Sequence, residues 1–68
     1  MKWIVEFTAN DKIEVEEYSS RELANENFKA GRKLFMNLAK MTADLNVSGN
    51  VTEVDNNGNT QVIASFSN

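Results

Sequence analysis

Sixty-eight residues with a formal net charge of −3 leave room for one hydrophobic core and no second domain. The absence of Cys excludes disulfides and thiolate ligands, and the absence of His removes the commonest metal ligand and the usual acid–base group near neutral pH. No apolar run reaches the roughly 20 residues that span a bilayer, and Glu6 interrupts the N-terminal apolar stretch, so the expectation is a cytoplasmic protein without a membrane partner.

The chain opens with period-2 alternation. Trp3, Val5, Phe7 and Ala9 point one way and Lys2, Ile4, Glu6 and Thr8 the other, which predicts a strand over about 2–9. A second strand over about 12–17 alternates Ile13 and Val15 against Lys12, Glu14 and Glu16, with Asn10 and Asp11 supplying the turn. A three-residue loop of Asn10, Asp11 and Lys12 sets Ala9 opposite Ile13 and Phe7 opposite Val15. A two-residue loop would pair Phe7 with Glu14 and turn a carboxylate inward. Register follows the apolar face, so the longer loop is expected.

Ser19 and Glu22 have the spacing of a capping box, and Tyr18 and Leu23 that of a hydrophobic staple. From there Leu23, Ala24, Phe28, Leu34, Phe35, Leu38, Met41 and Leu45 recur at helical spacing, which predicts a helix over about 20–44 with one broad apolar face. Glu22 and Glu26 lie early in it and Lys29, Arg32, Lys33 and Lys40 later, an order that complements the helix dipole. Gly31 falls near the middle of the apolar face, where it costs about 1 kcal/mol of helix propensity. A close approach of helix to sheet, under Trp3, is the expected reason; a helix–helix contact in a dimer and a kink are the alternatives. Asn27 also falls on the apolar side, where it should sit at the edge or cap a neighbour.

Two further strands, about 47–55 and 59–67, flank Asp55-Asn56-Asn57-Gly58-Asn59, whose Asn57-Gly58 suits a type I′ turn. Val47, Gly49 and Val51 point inward, as do Thr60, Val62, Ala64 and Phe66. Pairing about the turn sets Gly49 opposite Phe66, Val51 opposite Ala64 and Glu53 opposite Val62, with Glu53 the misfit near the hairpin tip. Ile4, Val54 and Ile63 fall on the outer face. The turn lacks the Gly and Glu that a calcium loop needs at its sixth and twelfth positions, where Thr60 and Phe66 stand. The expected fold is α+β: a two-layer β-β-α-β-β domain over 1–68, its antiparallel four-stranded sheet built from two hairpins and carrying one long helix on one face. Strand order stays open.

For function, the residues favour binding over catalysis. Glu14, Glu16 and Glu17 are paired acids, but general-acid work needs an apolar pocket, and an edge strand is better read as a solvated acidic border. No catalytic residue, metal ligand or cofactor site is expected. Residues 29–43 carry four basic groups and no acid, whereas 1–28 sum to −4 and 44–68 to −3. Lys29, Arg32, Lys33 and Lys40 thus form a basic stripe on the outer helix face with Met36 stranded among them, a plausible anchor for another protein. Ile4 and Ile63 offer a second contact surface, suited to a homodimer. The expectation is a small protein-binding module, an adaptor or inhibitor of the kind a phage or other mobile element uses as an accessory. The alternatives are nucleic-acid binding through the basic stripe and a structural subunit of a larger assembly.

Overall fold

A computed structural model describes residues 1–68 as five elements: strands β1 (Lys2–Ala9) and β2 (Lys12–Tyr18), helix α1 (Arg21–Met41), and strands β3 (Val47–Val54) and β4 (Thr60–Ser67). The strands form one antiparallel sheet in the order β2-β1-β3-β4, with α1 across one face, so the two-layer α+β expectation holds. Each hairpin contributes one central and one edge strand.

The first register differs from the expected one. Ala9 pairs with Lys12 and Phe7 with Glu14 about a two-residue turn in which Asn10 is left-handed at φ 52°. Asn10 also donates its backbone N–H to the Asn46 carbonyl at 2.8 Å and accepts the Asn46 N–H on Oδ1 at 3.0 Å, tying the turn to the start of β3. Glu14 and Glu16 consequently share the helix-side face with Val5 and Phe7, while Ile13 and Val15 turn to the outer face. A buried carboxylate would disfavour this pairing. That cost never arises, because β2 is an edge strand and its inward acids stay exposed.

The second hairpin keeps Gly49 opposite Phe66 and Val51 opposite Ala64, but its tip slips by one residue. Only Gly58 has positive φ, so the turn is not type I′. Asp55 Oδ1 accepts the N–H groups of Asn57 and Asn59, and the Gly58 N–H reaches the Asp55 carbonyl. The N–H of Asn59 above all, with those of Asn57 and Gly58, holds the Asp55 carboxyl below its ordinary pKa. This turn sets Val54 opposite Thr60 and Glu53 opposite Gln61, and a β-bulge beside Val51/Thr52 absorbs the extra residue. Val62 and Thr60 therefore move to the outer face, and Ile63 packs against the core instead of facing away from it. Glu53 finds a partner on the inner face, accepting the Trp3 indole N–H at 3.0 Å.

The helix starts one residue later than the capping-box spacing suggests. Tyr18 is still paired in β2, opposite Trp3, so Ser19 becomes the link and Ser20 the N-cap, accepting the Leu23 N–H on Oγ. It ends at Met41 rather than near 44, because Thr42 is extended and Asp44 left-handed at φ 66°, a reversal that returns the chain to the Asn10–Asn46 tie. Val5, Ala24, Phe28 and Val51 form the centre of the core, and Phe7 is surrounded by the rings of Phe28, Phe35 and Phe66 at centroid distances of 5.1–6.1 Å. Gly31 lies directly over the Phe7 ring, so the close approach of helix to sheet is real but its partner is Phe7, not Trp3.

Candidate functional site

The apolar residues of α1 do not form one buried face. At about 100° per residue they divide into two arcs. Ala24, Phe28, Gly31 and Phe35 face the sheet; Ala24 and Phe28 are buried, Gly31 lies over the Phe7 ring and Phe35 stacks on it. Leu23, Leu34, Leu38 and Met41 run along a second line, exposed by 52%, 59%, 40% and 83%. A single helix on a four-stranded sheet touches its neighbours along one arc only, so the rest of a broad apolar face has nothing to cover it.

This line lies on the β2 side of the helix. Between them is an open cleft of about 450 Å³, floored by Val5 and Phe7, with Glu14, Glu16 and Tyr18 on the strand and Asn27 on the helix. Asn27 sits at the rim, its Nδ2 donating to the Leu23 carbonyl at 2.9 Å. The Tyr18 hydroxyl donates to Glu16 Oε2 at 2.5 Å, and that bond, with burial and the negative charge adding to it, raises the Tyr18 pKa above its ordinary value. No three acidic side chains come together in a way that could hold a metal ion.

The basic stripe lies on the other side of the helix. Lys29, Arg32, Lys33 and Met36 line a shallow depression of about 230 Å³, which Lys40 does not line. Met36 is half-buried in it rather than stranded in solvent. Ile4 is on the outer sheet face as expected, whereas Ile63 is on the core side, so the two do not form one surface. The outer face carries instead Ile4, Ile13, Val15, Val54 and Val62, dispersed among Ser, Thr and Asn.

The exposed helix line is the surface that reading the apolar residues as one face conceals. Its signal was the width of that face: Leu23, Asn27, Ala30, Leu34, Asn37 and Met41 follow an alternating three- and four-residue spacing of their own, offset from that of Ala24, Phe28, Gly31 and Phe35. No helix is long and apolar enough to cross a membrane. No protein-family model matches the chain, and comparison with curated proteins and with solved structures gives no match.

Proposed function

We propose that this chain is a small, non-enzymatic protein-binding module, an adaptor or inhibitor, that takes its partner on the exposed line of α1 beside the β2 edge. The observation that carries the reading is the row Leu23, Leu34, Leu38 and Met41 left in water along one helix. Full burial of such a side chain is worth roughly 1.5–3 kcal/mol, and the Leu34, Leu38 and Met41 cluster, with Leu23 further along the same line, marks a contact surface. The overall shape supports the same reading. The accessible surface is 4850 Å², against about 4,300 Å² expected for a compact monomer of this mass.

The basic stripe supports nucleic-acid binding less well. Its depression is shallow, it has no aromatic side chain for stacking, and the molecule as a whole is acidic. A photo-crosslinking amino acid at position 34, in cells of the source organism, is expected to capture protein. The same group at position 36, inside the basic depression, is expected to capture no nucleic acid. An empty result at 34, or nucleic acid at 36, overturns the reading.

A further inference from the structure

Resting on the reading of α1 as a protein-binding surface, we infer that its partner is a second copy of this chain, docked helix to helix in antiparallel orientation. The exposed line is a seam. Leu23, Asn27, Ala30, Leu34, Asn37 and Met41 occupy alternating three- and four-residue steps and are all exposed. They point about 120° around the helix from the residues that face the sheet, so a second helix can approach without displacing the first layer.

The flank of the seam carries an ordered set of charges. Glu26, Lys33 and Lys40 stand one position before Asn27, Leu34 and Met41, acid in the N-terminal half and base in the C-terminal half, and all three are exposed. An antiparallel copy brings Glu26 against Lys40 of the second copy, and Lys40 against Glu26, on both sides of the dyad, while Lys33 falls on the dyad and faces Lys33 of the second copy. The same register sets Leu34 against Ala30, large against small, and Leu23 against Met41. Asn27 meets Asn37, a polar layer of the kind that fixes register in helix pairs. One set of sequence positions thus packs the seam and makes two attractions, which outnumber the single Lys33–Lys33 repulsion on the dyad.

A parallel copy would set this flank against the opposite flank of the second helix, Glu26 toward Gly31 and Lys33 toward Leu38, and so would make neither attraction. A cationic helix from another protein is the competing occupant, since Glu14 and Glu16 wall the β2 side of the cleft. Lys33 and Lys40 would both repel it along the C-terminal half of the seam, whereas a second copy brings Glu26 to Lys40 and is repelled at Lys33 alone. Because α1 is already folded on its sheet, pairing carries no helix-nucleation cost even for so short a seam.

The test is sedimentation of the full chain and three variants, with circular dichroism to confirm folding; Glu26 and Lys40 are surface residues and their variants are expected to fold. Wild type is expected to sediment as a dimer within the micromolar range. Glu26→Lys and Lys40→Glu each turn both symmetric attractions into repulsions, weakening dimerisation about ten- to hundredfold. An equimolar mixture of these two variants is expected to recover the dimer, because both pairs between positions 26 and 40 are again opposite in sign, as in the wild type. Leu34→Glu is expected to remain monomeric. A wild-type monomer, a dimer indifferent to the charge reversals, or a mixture that stays monomeric overturns the inference. If the wild type is monomeric yet the crosslinker at position 34 captures a different protein, the second copy is wrong and the binding surface stands. If position 34 captures nothing as well, both fall.

Discussion

Gly31 sits over the Phe7 ring so closely that a methyl group there would overlap three of its carbons. In an exposed helix interior Gly→Ala gains about 1 kcal/mol. Here Gly31→Ala is expected to cost about 1–3 kcal/mol, as overpacking does, and Phe7→Leu in the same chain should return part of that loss in a double-mutant cycle read by urea unfolding. Additive losses would count against the contact. Tyr18 provides a second residue-level expectation. Its bond to Glu16 raises the phenol pKa, so the folded state holds this proton more tightly than the unfolded chain. The associated stability is complete below the ordinary phenol pKa and disappears as pH rises through the raised one. Glu16→Ala should bring the phenolate absorbance transition down toward the ordinary value; an unmoved transition would show that the bond is not formed in solution.

The elements were legible in the sequence, and their registers less so. Hydrophobic periodicity placed all four strands and the helix, because burial alternates with period 2 on a sheet and about 3.6 on a helix whatever the partners are. Which residues oppose one another depends on turn geometry and on what covers each strand, and neither is local. The β2 register turned on the helix leaving that strand open, and the tip of the second hairpin on a turn with Gly58 alone in the left-handed region. The bulge gives a direct check, since Val62 is 59% exposed on the outer face while Ile63 packs on the core. Val62→Lys should change stability by no more than about 0.5 kcal/mol, whereas Ile63→Lys should cost about 1–3 kcal/mol by removing apolar packing against the core. The reverse order in thermal unfolding would restore the unbulged register. The helix start is checked in the same way. Ser20→Ala should cost about 1 kcal/mol and Ser19→Ala little, because only Ser20 accepts the Leu23 N–H.

At the scale of the whole molecule, the candidate surface follows from a mismatch between helix and sheet. Only 6 of 68 residues are buried, and the radius of gyration of 12.5 Å exceeds the roughly 11 Å of a compact chain this long. The sequence showed an apolar helix face wider than one contact, yet a single broad face and two separate arcs have the same composition. Only the position of α1 over β1 and β3 decides which residues remain in water, and it leaves Leu23, Leu34, Leu38 and Met41 there. On the proposed reading, a thin core and an uncovered row of this kind couple folding to association. Any partner that binds only the native state adds to its stability by mass action, and when the partner is the chain itself the gain grows with protein concentration. For a domain of this size each tenfold increase in concentration should raise Tm by about 3–6 °C while the dimer dominates. Leu34→Glu removes the seam without touching the core, so its Tm should be the same at every concentration and should match the wild type at high dilution. A wild-type Tm independent of concentration would mean that the chain folds alone, and that no second copy covers the exposed row.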